Sequence, residues 1–291
     1  MITGGSGLLG QYLNLFLSKE NEILTLFNNN PGNCLNYSNF KIDLNNQNGL
    51  MEIFISFNPD IVIHTACFSR PEICDRLEEN LVRKTNVEAT KFISELCDKF
   101  NSKLIYTSTD LVYDGFQGNM LKENSLINPL SLYAKTKLEA EKEIVNTFDN
   151  YIILRTSLLF GIGMNHSRNN FHILYENLNS GKITKLFADQ YRTPLSLCNA
   201  SDIIAGLCKS DIKNIIFNFG GNERISRADF GKMLCEICGL DENLIEEISM
   251  NEIEGLKIVP DVSLNTELLK SYGFKICTLL DSIIESLKYI E

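Results

Sequence analysis

The sequence predicts an α/β protein: a doubly wound parallel sheet followed by a smaller C-terminal α/β lobe. Short apolar runs, such as 60–64 and 151–155, have the length and composition of buried parallel strands. Helical stretches separate these runs, and strands that alternate with helices imply right-handed crossovers and helices on both faces of the sheet. From Gly161 onwards the polar loops lengthen, which indicates a second lobe.

The composition is that of an ordinary globular protein, with 44% hydrophobic and 22% charged residues among 291. A net charge of −10 argues against nucleic acid or an anionic membrane as the main partner. No apolar run approaches the roughly 20 residues of a membrane span, and no signal sequence is evident. We therefore expect a cytoplasmic protein whose nine cysteines are reduced thiols, and we predict no metal site.

A glycine-rich stretch opens the chain. Gly4, Gly7 and Gly10 follow the spacing G-x-x-G-x-x-G just before a helix that we predict from Leu8. Glycines allow a tight turn and a close approach to a pyrophosphate, and the first amides of the helix, including that of Leu9, favour negative charge. The stretch therefore predicts a dinucleotide-binding loop.

The strand before this loop is the one irregular feature. A dinucleotide fold needs a buried strand there, and only three residues precede the first glycine. Either this strand is unusually short or the sequence as given starts inside it. We favour the second alternative, and we expect the natural protein to begin several residues upstream with a short apolar segment.

The end of the second strand, predicted over 22–27, is where an acidic residue would hold the adenosine ribose hydroxyls of NAD. Asn28, Asn29 and Asn30 stand there instead, and no arginine accompanies them. We therefore expect NADPH as cofactor, with a mild preference over NADH. A third strand is predicted over 40–44.

The strand predicted over 60–64 ends at His64, for which we expect a structural role. A loop over 68–71 would then lie across the cofactor. One long helix is predicted over 78–100, and the strand that follows it, over 103–107, leads into Ser108. Thr65, Ala66 and Cys67 join the strand predicted over 60–64 to its loop, and we expect them to bind the cofactor.

Tyr133 and Lys137 lie four residues apart in a predicted helix that ends near residue 148. Because they share one face, the ammonium group is expected to stabilise the phenolate and lower its pKa from about 10 towards neutral. Such a tyrosine can give a proton to a ketone oxygen at physiological pH. With ten tyrosines in the chain, one such spacing has roughly even odds of arising by chance, so the motif is weak alone.

We divide the chain into an NAD(P)-binding domain at 1–160 and a substrate-binding lobe at 161–291, with 196–220 packing back onto the first domain. Polar loops are expected at 161–170 and 189–194. The remaining predicted elements are helices at 50–57, 171–179, 201–209, 226–238 and 279–289 and strands at 151–155 and 215–219.

Taken together, these motifs resemble a known family. The glycine loop, the strand end at 108–115 and the Tyr133-x-x-x-Lys137 pair occur in the order typical of extended short-chain dehydrogenase/reductases. Within that family the chain is similar to the dTDP-4-dehydrorhamnose reductases and to the regulatory beta subunits of methionine adenosyltransferase. The resemblance covers nearly the whole chain and implies a Rossmann-like fold.

The resemblance also implies roles for individual residues. Thr109 would hydrogen-bond a substrate carbonyl, Tyr133 would donate its proton, and Lys137 would hold the nicotinamide ribose. Ser108 would bond to the sheet or a cofactor amide, and Arg227 would be an ordinary exposed residue. The adenine end of the cofactor would meet Asp43 and Leu44, and the candidates for the sugar-nucleotide pocket are Arg70, Tyr113, Asn170 and Arg192.

Three functions stay open at this point. The first is an NAD(P)H-dependent reductase of the 4-keto group of a nucleotide-diphosphate sugar, in which hydride goes to carbon while Tyr133 protonates oxygen; a homodimer would be compatible with it. The second is a non-catalytic regulatory subunit of the same fold. The third is a dehydratase or epimerase, against which Leu111 counts, since dehydratases of this type usually carry Asp-Glu where this chain has Asp110-Leu111.

Val259 stands where relatives commonly carry an arginine, which bears on the substrate but not on the fold.

Overall fold

A computed structural model describes residues 1–253 and 259–290. A single parallel sheet of seven strands organises the chain. The strands in chain order are β1 (Ile2–Thr3), β2 (Leu24–Phe27), β3 (Ser38–Lys41), β4 (Ile61–His64), β5 (Lys103–Thr109), β6 (Tyr151–Thr156), β7 (Leu159–Phe160), β8 (Thr184–Phe187), β9 (Tyr191–Arg192), β10 (Leu195–Ser196), β11 (Ile215–Phe219), β12 (Ile225–Ser226) and β13 (Ile245–Ile248).

Helices connect these strands, and none among the described residues is long and apolar enough to cross a membrane. The α-helices in chain order are α1 (Leu8–Leu17), α2 (Gln47–Phe57), α3 (Pro71–Cys74), α4 (Glu79–Arg83), α5 (Ala89–Phe100), α6 (Leu132–Thr147), α7 (Asn170–Asn179), α8 (Leu197–Cys208), α9 (Arg227–Cys238), α10 (Glu267–Ser271) and α11 (Leu279–Leu287).

The strand order in the main sheet is β11-β6-β5-β4-β1-β2-β3, and every pairing is parallel. The two-residue strand β1 lies in the middle, where Ile2 is in register with Thr25 on one side and Ile63 on the other. The order reverses beside β1, and ligands of such sheets bind in the crevice at the carboxyl ends of the strands around that point.

Two apolar layers cover the sheet because successive strand residues face opposite sides. Ile63 and Ile105 pack with α1 and α8 on one face, whereas Val62 and Leu104 pack with α2, α5 and α6 on the other. Helix α8 packs on one face of the sheet and β11 pairs with β6, so the stretch from Leu197 to Phe219 lies against the main sheet.

A separate core holds the C-terminal lobe together. Phe160, Phe171 and Phe230 form a triangle with ring centroids 5.2 to 5.8 Å apart, and residues of α7, α9 and α11 pack around them. Aromatic rings at these distances and tilts attract each other beyond the area they bury. This cluster fixes the start of α9 relative to the main sheet.

Several elements differ from the predictions, among them α8, which begins at Leu197 rather than 201 because the Ser196 side chain caps it. The helix expected over 78–100 contains a π-helical turn at Lys84–Glu88 between α4 and α5. The third strand runs over Ser38–Lys41 rather than 40–44, because Asp43 accepts a hydrogen bond from the Asn45 amide at 2.9 Å and turns the chain. The next helix begins at Gln47 because the Asn46 side chain caps it.

Candidate active site

The glycine loop is shaped by close backbone contacts. Gly4 has φ +68°, and a Cβ there would lie 2.8 Å from the Ala66 nitrogen. A Cβ on Gly10 would lie 2.2 Å from the Gly4 carbonyl oxygen, which itself accepts a hydrogen bond from the Gly7 amide at 2.8 Å. Only glycine fits at both positions, so the loop can keep its tight turn.

The loop ends at the N-terminus of α1. Gly7 caps this helix without a side-chain hydrogen bond, and the first turn carries no acidic residue. The amides of the first turn, including those of Leu8 and Leu9, therefore keep their donors for a ligand, and the helix dipole favours negative charge. These features fit the pyrophosphate of a dinucleotide.

A cleft of about 890 Å³ opens above this loop at the carboxyl ends of the strands. Most of the residues predicted for the site line it. They are Gly4, Gly7, Leu8, Leu9, Gly10, Asn28, Asp43, Leu44, Thr65, Ala66, Cys67, Thr109, Tyr133, Lys137, Asn170 and Arg192.

Two predicted substrate residues do not line the cleft. Tyr113 is fully buried, and its hydroxyl lies 3.1 Å from the Lys122 carbonyl and 3.0 Å from Asn218 Oδ1, either of which can accept its hydrogen. The same hydroxyl accepts a bond from Arg155 at 3.0 Å. Tyr113 is therefore part of a small buried core with Leu121 and Leu264. Arg70 is exposed at the start of α3, outside the lining. The prediction for Tyr113 was wrong, whereas the substrate-binding role of Arg70 stays a prediction.

Helix α6 positions the tyrosine and the lysine. Its N-terminus is fixed by Ser131, whose hydroxyl accepts a hydrogen bond from the Ala134 amide at 3.2 Å. Tyr133 and Lys137 are both buried, and the Lys137 ammonium lies 4.1 Å from the centroid of the Tyr106 ring. This cation–π contact holds the lysine at the floor of the cleft.

Burial, rather than the lysine, dominates the titration of Tyr133. Removal from water disfavours the phenolate and raises the pKa of Tyr133 well above its usual value, and the same effect lowers the pKa of Lys137. The expected fall of the tyrosine pKa towards neutral was wrong for this structure. A phenol held protonated at neutral pH is suited to donate a proton, which is the role required in a reduction.

Thr109 ends β5 at the cleft, and its hydroxyl opposes the rise in the pKa of Tyr133. The same hydroxyl lies 3.3 Å from Oδ1 of Asp110, which also lines the cleft. Burial raises the pKa of Asp110 to about 6, although the Arg192 guanidinium opposes this shift. A carbonyl oxygen placed between Thr109 and Tyr133 would therefore meet two hydroxyl groups.

Ser108 lines the cleft next to Thr109. Its hydroxyl donates to Glu141 of α6, and Glu141 forms a buried ion pair with Arg155 of β6 at 2.9 Å. Glu141 lies one helical turn beyond Lys137, so this network ties β5, α6 and β6 together directly beneath the site.

Two arginines reach the cleft from the second lobe. Strands β9 and β12 pair antiparallel, with Arg192 opposite Ile225, and the Arg227 amide donates to the Gln190 carbonyl at 3.1 Å. Burial, together with repulsion by Arg192, lowers the pKa of Arg227 to about 10. Among the described residues no carboxylate forms an ion pair with Arg227.

The expectation that Arg227 is an ordinary exposed residue was therefore wrong, since it is partly buried and lines the cleft. One signal could have revealed it. Ser226 caps α9, so Arg227 is a cation in the first turn, where the helix dipole disfavours positive charge. An arginine at a position where the helix dipole disfavours positive charge suggests that its side chain binds a ligand.

His64 has the structural role that was predicted. Its ring nitrogens lie 2.6 Å from the Thr3 hydroxyl and 2.9 Å from the Thr90 hydroxyl, and the ring is fully buried. Burial lowers the pKa of His64 to about 3, so the ring is neutral at physiological pH.

This geometry agrees with comparisons to known proteins. The model of the RmlD substrate binding domain family matches residues 1–288. The chain belongs to this family. The dTDP-4-dehydrorhamnose reductase of Aggregatibacter actinomycetemcomitans is 26% identical over 256 residues, covering 86% of this chain and 81% of that protein.

Two further proteins show how the family varies. The methionine adenosyltransferase 2 subunit beta of Xenopus laevis is 25% identical over 261 residues, covering 86% of this chain and 75% of that protein. The crystal structure of dTDP-4-dehydrorhamnose reductase from Bacillus anthracis str. Ames in complex with NADP superposes with a TM-score of 0.84 at 20% identity, covering 99% and 98% of the two chains. This chain therefore shares its fold with a dTDP-4-dehydrorhamnose reductase.

Proposed function

We propose that this protein is an NADPH-dependent reductase of the 4-keto group of a nucleotide-linked 6-deoxysugar, with dTDP-4-dehydrorhamnose as the leading substrate. The convergence of Thr109, Tyr133 and Lys137 on one cleft floor beside the glycine loop carries this proposal. The likeness to a dTDP-4-dehydrorhamnose reductase across most of both chains supports the substrate.

The residues divide the work of the reduction. The bound cofactor supplies hydride to the carbonyl carbon. The Thr109 hydroxyl orients the carbonyl oxygen, and Tyr133, kept protonated by burial, gives it a proton as negative charge develops there. Lys137, buried on the same helix face, binds the nicotinamide ribose.

The second lobe would bind the nucleotide diphosphate. Because the chain carries a net charge of −10, a site for a dianion has to be built locally. Arg192 and Arg227 provide two guanidinium groups in one cleft, and a guanidinium matches phosphate oxygens in geometry. Arg192 is held by the carbonyls of Tyr191 and Val259, so Arg227 is the freer diphosphate contact.

A direct assay tests this proposal. NADPH oxidation is followed with a panel of nucleotide-linked 4-keto-6-deoxyhexoses, and turnover with at least one of them is expected. Arg227→Met should raise KM for the sugar nucleotide about tenfold and leave the Kd for NADPH unchanged. Arg83→Met is the matched control, since Arg83 pairs with Glu139 outside the cleft.

One observation favours a second candidate. The similarity to methionine adenosyltransferase beta subunits is nearly as strong as that to the reductase. Tight NADPH binding without turnover of any keto sugar would make a non-catalytic regulatory subunit the better assignment.

A further inference from the structure

Two neighbouring side chains of helix α1 hold a loop of the second lobe, residues 162–168. The Tyr12 hydroxyl donates to the Ile162 carbonyl at 2.8 Å, and the side-chain amide of Gln11 donates to the Met164 carbonyl at 3.0 Å. Gln11 and Tyr12 are both fully buried. Helix α1 therefore meets the cofactor cleft at its N-terminus and the 162–168 loop along its side.

The amide group of Gln11 is the centre of this contact. Its nitrogen also lies 3.0 Å from the Ser167 hydroxyl, and its oxygen accepts hydrogen bonds from the Asn165 side chain at 2.7 Å and the Asn33 backbone amide at 3.0 Å. The Ser167 hydroxyl in turn donates to the Ser6 carbonyl of the glycine loop at 3.1 Å. All the donors and acceptors of one buried amide are thus used to join distant segments of the chain.

The joined segments reach the two sides of the cleft. Ser6 lines it at the glycine loop, and Asn33 lies five residues after Asn28, which lines it at the end of β2. The 162–168 loop leads into α7, whose first residue, Asn170, lines the cleft from the second lobe. The loop itself, all of which the structure describes, is not part of the cleft lining. An effect of the cofactor on this loop therefore has to pass through the protein.

We propose that Gln11 is a positioning residue that couples NADPH binding to the substrate side of the cleft. When NADPH occupies the glycine loop, Ser6 and Asn33 lose freedom, and Gln11 transmits this order to the 162–168 loop. The loop then presents Asn170 to the sugar nucleotide. The inference rests on the proposed function for the identity of the substrate. Such coupling is reciprocal, so the sugar nucleotide tightens NADPH binding by the same factor.

The outer part of the loop, residues 165–168, is suited to such control. The side chains of Asn165, His166 and Arg168 are exposed. Arg168 forms an ion pair with Glu176 on the surface, and exposed ion pairs contribute little stability. Segments with few buried contacts open locally at a low cost in free energy, so the bonds to the buried amide decide how well this segment is ordered.

Hydrogen–deuterium exchange of the full chain tests the link without any substrate. In the wild-type protein, saturating NADPH should slow exchange of the 162–168 amides about fivefold or more. Gln11→Met keeps the length of the side chain but has no amide group, so this slowing should disappear while the glycine-loop amides stay protected. Ser167→Ala changes a partly buried hydroxyl and should also reduce the slowing, even if Gln11→Met folds poorly. His166→Ala, at an exposed residue of the same loop, is the matched control and should keep it.

Calorimetry with dTDP as the probe tests the substrate side. Bound NADP⁺ should lower the Kd for dTDP about fivefold in the wild-type protein and in His166→Ala, but not in Gln11→Met. Exchange of the loop that NADPH leaves unchanged in the wild-type protein, or slows equally in Gln11→Met and Ser167→Ala, would overturn the link. A protein that shows the Gln11-dependent slowing but binds no dTDP would keep the link and overturn the proposed substrate.

Discussion

The Arg155 guanidinium lies 2.9 Å from a carboxylate oxygen of Glu141, and both side chains are about 3% exposed. Glu141 also accepts the Ser108 hydroxyl, next to Thr109, and lies one turn beyond Lys137 on α6. Glu141 therefore ties the helix that carries the tyrosine and the lysine both to β6, through Arg155, and to the strand that carries the threonine, through Ser108.

Breaking this pair should be costly. Arg155→Met leaves the Glu141 carboxylate buried without its partner, so we expect the free energy of unfolding to fall by about 3–5 kcal/mol. The double variant Arg155→Met/Glu141→Leu removes both charges and should recover much of the loss. Urea denaturation measures the free energy of unfolding of the wild-type protein, the single variant and the double variant. Arg83→Met, at an exposed pair, should change stability by about 1 kcal/mol or less. A double variant as unstable as the single one would contradict this account.

Tyr133→Phe should abolish turnover, with kcat reduced about 10²-fold or more, because the proton donor is lost. The Kd for NADPH should stay within a few-fold of the wild-type value, since Lys137 rather than the phenol holds the ribose. Steady-state assays and fluorescence titration measure the two quantities. Tyr272→Phe, on the surface, is the control. A near-normal kcat in Tyr133→Phe would exclude the catalytic role.

The cofactor preference can be shifted at the end of β2. Asn28 lines the cleft, and a carboxylate there would accept the ribose hydroxyls of NADH and repel a 2′-phosphate. Asn28→Asp should move the ratio of kcat/KM values for NADPH and NADH about tenfold towards NADH. Asn30→Asp adds the same charge outside the cleft lining and should have little effect. A wild-type protein that strongly prefers NADH would contradict the expected preference for NADPH.

The elements around the cofactor could be predicted because their signals are local. The glycine spacing at Gly4, Gly7 and Gly10 determines a tight turn before a helix, and the four-residue spacing of Tyr133 and Lys137 determines a shared helix face. Apolar runs mark buried strands since both faces of a parallel sheet are covered. These signals act over fewer than about ten residues and need no knowledge of distant neighbours.

Other features depend on contacts between distant parts of the chain. Arg227 enters the cleft because β12 pairs with β9 and the aromatic cluster holds α9, whereas Tyr113 is withdrawn into the core by Asn218, which lies far along the chain. The pKa of Tyr133 is set by burial, which needs the earlier segments that carry Cys74 and Val82 and outweighs the lysine next to it on the helix. The sequence alone thus determines which groups are present and the local framework that carries them. Their exposure and charge state follow from long-range packing, because desolvation depends on every element that closes around a group.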